Sequence, residues 1–187
     1  KPYFEYVPTG VHCEVVLDGT YYGVYVLSER VRQGVNRLNI PKPGITGDDL
    51  TGGYHVEVDS DDEVVYTSKY QPEYSSGLKI YGKTISYQYK HPEYEDLTRE
   101  QKDFLRGRID AFENSLAAET YKDKQNGYRK YIDVTSFIDY MLSTEFARNV
   151  DGYRLSTSLY KHRDSIDPRF KMSLWDFNLG FGNADYN

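Results

Sequence analysis

Apolar and polar positions change their period twice along this chain. Residues 11–18 and 21–28 are rich in β-branched and aromatic side chains, and Asp18-Gly19 supplies turn chemistry between them. The pattern predicts a β-hairpin. Between 30 and 52 the chain carries Gly34, Pro41, Pro43, Gly44, Gly47 and Gly52, which reads as loop with a short strand near 38–40. Alternation returns at 54–59, and weaker strands are expected at 63–67 and 78–81. The first half is a sheet with long connections.

The period then lengthens. Thr98 followed three residues later by Gln101 is a capping-box signature. Phe104, Leu105, Ile109, Phe112 and Leu116 recur at helical spacing, predicting a helix to about Glu119. A polar, glycine-containing link at 122–128 leads to a second helix, capped by Asp133 or Thr135 and ending near Asn149. Its apolar stripe is Phe137, Ile138, Met141, Leu142 and Phe146. Residues 153–161 and 170–175 read as two strands joined by 162–169, a connection containing Pro168. Sheet, two helices and a terminal hairpin in that order make an α+β domain.

Length changes this picture little, since 187 residues suit a single domain with a real core. Charge changes it more. There are 29 acidic and 23 basic side chains, a formal charge of −6, with the longest basic cluster only Lys161 to Arg163; nucleic acid is a poor partner for such a surface. No stretch approaches the roughly 18 apolar residues of a bilayer span, so no membrane span is expected. Cys13 is the only cysteine, so no internal disulfide and no multi-cysteine metal cluster can form. His12, His55, His91 and His162 lack zinc-hydrolase spacing, and there is no GxSxG elbow, Walker A motif or GxGxxG loop. Twenty tyrosines fill half-buried sheet positions or present rings to a sugar.

Candidate chemistry collects at the terminal hairpin, in the stretch LWDFNLGFGN (174–183). In an antiparallel pair the residue before the first strand lies beside the residue after the second, and here those are Asp151 and Asp176. Two carboxylates at one open sheet end suit a divalent metal, or a base beside a metal ligand. With Mg²⁺, which takes one or two carboxylates plus phosphate oxygens, phosphoryl transfer is the chemistry to consider. Asp176 then holds the metal, Asn178 assists, and Asp151 orients or accepts the proton of an attacking hydroxyl. Gly180 and Gly182 allow the following backbone to turn and approach a ligand. The plainer alternative has Asp151 capping a loop and Asp176 accepting backbone hydrogen bonds.

Other candidates are Glu29, which closes the second strand and either pairs with a nucleotide-anchoring lysine or bridges to Arg30 or Arg32, and His55, Glu57 and Asp59, which share one sheet face. Lys79 and Lys83 are candidate phosphate contacts, and Arg148 and Arg154 flank Asp151.

Five segments in order, VVLDGTYYGVYVLSERV, GGYHVEVD, YKHPEYEDLTREQ, DVTSFIDYMLSTEFARNVDGYRLSTSLYK and MSLWDFNLGFGN, resemble the CotH kinase family, named for a spore-coat protein. The resemblance runs from about Val11 to Asn183. It implies an atypical protein-kinase-like fold over a single domain, 1–187, and transfer of the ATP γ-phosphate to a protein serine or threonine hydroxyl with Mg²⁺ or Mn²⁺. Asp151 in NVDGYRLS matches the family's catalytic aspartate and Asp176 in WDFN its metal-binding aspartate. Where many members carry DGxxHN and WDFD, this chain has DGYRLS and WDFN. Ser156 therefore stands where asparagine would bind a second metal, and Asn178 replaces a carboxylate. Family members also carry an upstream RGNSS-like segment, so a further N-terminal part is expected, and the resemblance places the protein outside the cell or on its surface. The competing expectation is a catalytically weak surface or extracellular binding module with a carbohydrate or protein ligand.

Overall fold

The computed structural model describes residues 4–60, 66–70 and 85–184. Within them, β1 (Gly10–Leu17) and β2 (Thr20–Ser28) form the expected hairpin as a separate two-stranded sheet, with a register shift at Val15/Val16. Nearly all its side chains face solvent, including Val11, Val24, Val26 and Leu27. The main sheet has five antiparallel strands in the order β4-β5-β3-β6-β7. These are β3 (Tyr54–Val58), β4 (Tyr66–Thr67), β5 (Ser86–His91), β6 (Thr157–Lys161) and β7 (Phe170–Ser173).

Sequence reasoning missed β5. Its SYQYKH alternates Tyr87 and Tyr89, both buried in the core, with polar Gln88 and Lys90, so tyrosine does the work usually given to valine or isoleucine. Of the strand expected at 63–67, Tyr66 and Thr67 form β4; its remainder, the strand expected at 78–81, Lys79 and Lys83 lie outside the described residues.

One face of the sheet is covered by α1 (Arg99–Ala117) and α2 (Val134–Ala147). The capping box opens α1 as expected: the Gln101 amide N–H donates to Thr98 Oγ1 and the Thr98 amide to Gln101 Oε1. Asp133, of the two expected caps, starts α2 by accepting from the Ser136 amide at 3.1 Å. Leu105 and Ile109 of α1 pack with Tyr54, Val56, Tyr87, Leu159, Phe170 and Met172 from the strands and Tyr140 of α2.

The expected stripe of α2 is mostly turned outward. Phe137 reaches the core, but Ile138, Met141, Leu142 and Phe146 are exposed, and the buried positions are Ser136, Tyr140, Thr144 and Ala147. The inward face is smaller and more polar because α2 packs close to β7, with the Ser136 hydroxyl receiving the Met172 amide. Two apolar stripes therefore coexist on one helix, and periodicity alone does not say which is buried.

On the opposite face of the sheet, Leu38, Ile40 and Tyr160 form a second, smaller cluster, packed by Tyr6 and Val31. The loop lies across a polar sheet surface. His55 Nε2 hydrogen-bonds Ser158 Oγ at 2.7 Å, and Glu57 lies 3.5 Å from His55 and 3.7 Å from Lys90. Leu38 makes a parallel bridge to Gln33 rather than a strand.

Candidate functional site

The site forms where α2 ends and β6 and β7 meet. Arg148 leaves the helix in the left-handed region (φ 51°), and the Asn149 amide closes the last turn onto Thr144 O. Asp151 follows. Its side chain is largely buried and bonds Arg154 at 3.0 Å, while its carbonyl accepts from the Arg154 and Leu155 amides. Gly152 is required here for space: a Cβ would fall 2.2 Å from Thr144 Cγ2.

Strand β6 starts at Thr157, four residues later than the pattern predicts, because Tyr153 (φ 73°) and Ser156 (φ 49°) coil the intervening chain. That delay changes the neighbour of Asp176. The hairpin register pairs Ser158 with Ser173, which brings Ser156 to the strand end beside Asp176, and the Ser156 hydroxyl lies 3.4 Å from Asp176 Oδ2. Among the described residues no hydrogen bond or ion pair joins Asp151 to Asp176. Asp151 sits one turn back, fixed by Arg154.

A further carboxylate, Asp59, belongs to this sheet end. Just past β3, it reaches the same sheet end, where β3 pairs Val58 with Thr157, and it accepts hydrogen bonds from the Ser60 and Ser156 amides. Burial, with nearby Glu57 adding to it, raises its pKa above the ordinary aspartate value despite those bonds and Lys90. Asp59, Ser156 and Asp176 thus come from the ends of three adjacent strands. The signal was present in the alternation of HVEVD, which puts Asp59 at a strand terminus, but the pairing of β3 with β6 across 103 residues was not.

Backbone strain concentrates here. Among the described residues, six other than glycine have positive φ; Asp18 is at the hairpin turn, and Arg148, Tyr153, Ser156, Asp176 (φ 54°) and Phe181 (φ 56°) surround this site. Asp tolerates this conformation better than most residues.

The two glycines after Asp176 have distinct tasks. Gly180 packs on the end of α2, where a Cβ would lie 3.3 Å from Ala147 O, and Phe181 N–H donates to that carbonyl. Gly182 has φ +81° with nothing within 4 Å of an added Cβ. The Asn178 carbonyl accepts from Asn183 at 2.7 Å, tightening the same turn.

Glu29 stands at the base of the separate hairpin. It accepts from the Thr9 amide at 3.1 Å and the Thr9 hydroxyl at 2.9 Å, which lower its pKa, and its charged neighbour is Arg37 at 3.8 Å rather than Arg30 or Arg32.

The donors at the sheet end are all oxygen. Among the described residues no three His, Cys, Asp or Glu side chains gather as a metal cluster. A site offering one or two carboxylates and a hydroxyl, and leaving most positions for other oxygens, fits a hard divalent cation of the Mg²⁺ type better than a zinc centre.

A mixed α and β domain, with carboxylates gathered at the open end of an antiparallel sheet under a tight glycine-bearing turn, is the class that fold and site define. Residues 6–187 match the family model described as CotH kinase protein, and the chain belongs to that family. No curated protein matches it significantly.

Proposed function

We propose that the protein is a kinase-like phosphotransferase that moves the γ-phosphate of ATP to a serine or threonine hydroxyl of a protein. The observation that carries this is Asp176, held in the left-handed region at the end of β7 with the Ser156 hydroxyl and the Asp59 carboxylate at neighbouring strand ends. In this reading Asp176 and Asp59 hold Mg²⁺ or Mn²⁺, with Ser156 and Asn178 as neutral oxygen donors. The cation supplies charge neutralisation for the nucleotide phosphates.

Asp151 receives the proton of the acceptor hydroxyl, and Arg154 keeps its carboxylate oriented for that step. The open surroundings of Gly182 leave the turn approachable by a phosphate oxygen. Glu29 serves the nucleotide from the hairpin side. A surface location, outside the cell, accompanies this reading.

The test is calorimetric titration of ATP with Mg²⁺ or Mn²⁺ into the wild-type chain and into Asp176→Asn, a substitution that keeps a residue tolerant of positive φ while removing the charge. Binding that needs the metal and falls at least tenfold in the variant supports the reading. Equal binding by both overturns it.

A further inference from the structure

A second site lies at the β4 edge of the sheet, the edge opposite β7. Tyr66 of β4, Tyr89 of β5 and Tyr94 line a cavity of about 260 Å³ against the first turns of α1, which contributes Arg99, Lys102 and Arg106. Asp103, also in the wall, is the one acid among these residues and is 3.6 Å from Arg99, with both side chains well exposed. Lys102 and Arg106 have no carboxylate partner among the described residues. They are held by rings instead: Lys102 Nζ is 3.8 Å from the Tyr94 centroid and the Arg106 guanidinium 5.1 Å from that of Tyr66. A ring fixes a cation without cancelling its charge.

The walls combine two chemistries. Tyr89 is 7% exposed and its hydroxyl has no hydrogen-bond partner among the described residues. Its ring lies 6.1 Å from that of Tyr94, tilted by 50°. In a chain of net charge −6, this concave site brings together two cations without a carboxylate ion pair, tyrosine faces and a spare hydroxyl donor, the chemistry that would take an anion on an aromatic stem.

We propose that this cavity docks a phosphorylated side chain of a protein segment, phosphotyrosine before phosphoserine. Lys102 and Arg106 bind the phosphate, the Tyr89 hydroxyl donates to it, and Tyr94 stacks on the ring. The proposal rests on the kinase reading for its purpose: a phosphotyrosine placed beforehand by a separate tyrosine-specific kinase would anchor the substrate while its serine or threonine hydroxyl is presented at the Asp176 end of the sheet. Four strand spacings separate β4 from β7, on the order of 19 Å, so docked phosphate and reacting hydroxyl would be at least roughly six extended residues apart.

The experiment measures fluorescence anisotropy of one labelled peptide carrying phosphotyrosine, phosphoserine, glutamate or unmodified tyrosine, titrated with the full chain without nucleotide or metal. The expected order is phosphotyrosine tightest, phosphoserine weaker, and glutamate and unmodified tyrosine weakest. Lys102→Gln with Arg106→Gln should weaken phosphotyrosine binding by roughly tenfold per cation. Tyr94→Leu should erase the preference for phosphotyrosine over phosphoserine. All three positions are on the surface, so unchanged thermal melting is expected of each variant. Equal binding of all four peptides, or binding indifferent to the double substitution, overturns the proposal. So does displacement of the phosphopeptide by inorganic phosphate or a sulfated oligosaccharide at equal or lower concentration, which would identify a free-anion or glycan site. With no nucleotide present, the result is independent of the Asp176 titration: either reading can fail alone.

Discussion

Gly152 shows how tightly single residues specify this site. An alanine there would press its Cβ into Thr144 Cγ2, and Thr144 is fully buried at the end of α2. Gly152→Ala should therefore destabilise the fold by about 1–3 kcal/mol, read from urea unfolding, the usual cost of an overpacked contact. Thr144→Ser removes the methyl that would be struck, so the double variant should recover most of the loss; no recovery would place the strain elsewhere.

Asp167 gives a pH prediction. Burial opposes its ionisation, but the bidentate Arg169 contacts at 2.8 Å, the Arg169 amide and Lys171 outweigh this and hold it down to about 2. A depressed carboxylate adds stability that is present above its unfolded value, near 3.9, and is lost as pH falls toward the folded value. Stability should decline between about pH 4 and 2, and Asp167→Asn should flatten that part of the profile while lowering stability at pH 7. A variant with wild-type acid sensitivity would refute the assignment.

At the scale of elements, the two faces of α2 make opposite predictions. Ile138→Gln and Leu142→Gln should each change stability by within about 0.5 kcal/mol, as exposed positions do. Tyr140→Ala, which removes a buried ring whose hydroxyl meets Thr157 of β6, should cost about 3–5 kcal/mol in the same measurement. The ranking reverses what the sequence stripe implies. The β1–β2 hairpin offers another contrast, since a two-stranded ribbon without a covered face is marginal in water. Its amides should exchange with solvent orders of magnitude faster than those of β3 and β6, whose own residues are buried throughout. Equal protection would show the hairpin to be covered in solution.

These contrasts mark where local pattern stops being legible. Caps and turns were readable because a Thr98–Gln101 or Asp133–Ser136 contact spans three residues. Strand β5 and the inward side of α2 were not, because tyrosine and serine take core positions there and only the packing partner decides which face they join. The chemistry followed the same division. Asp176 and Asp151 stood out from their local motifs, whereas the place of Ser156 beside Asp176 depends on two left-handed residues. The contribution of Asp59 depends on a pairing made far along the chain.

For the whole molecule, buried polar groups lie on both sheet faces: His55, Glu57 and Ser158 sit beneath the loop carrying Leu38 and Ile40, and on the helix side Glu113 of α1 accepts from the Ser68 and Tyr87 hydroxyls. The α+β class and the family were legible from element order and from five motifs together, and the family match covers residues 6–187. The tyrosines were legible as a count only. Tyr54, Tyr66, Tyr87, Tyr89, Tyr140 and Tyr160 are buried and build the interior, whereas Tyr21, Tyr22, Tyr25, Tyr94, Tyr121 and Tyr153 stay exposed.

Strand order also has a bearing on synthesis. Central strand β3 takes β6 as one neighbour, with Val56 opposite Leu159, and those residues leave the ribosome 103 positions apart. At about 5–20 residues per second that interval is roughly 5–20 s, during which the Tyr54–Val58 backbone has one unpaired edge. The growing polypeptide cannot complete its sheet piece by piece. Translation speed over the helical region, and holding factors that shield a nascent edge, should therefore influence the yield of folded protein more than they would for a fold built from sequential hairpins.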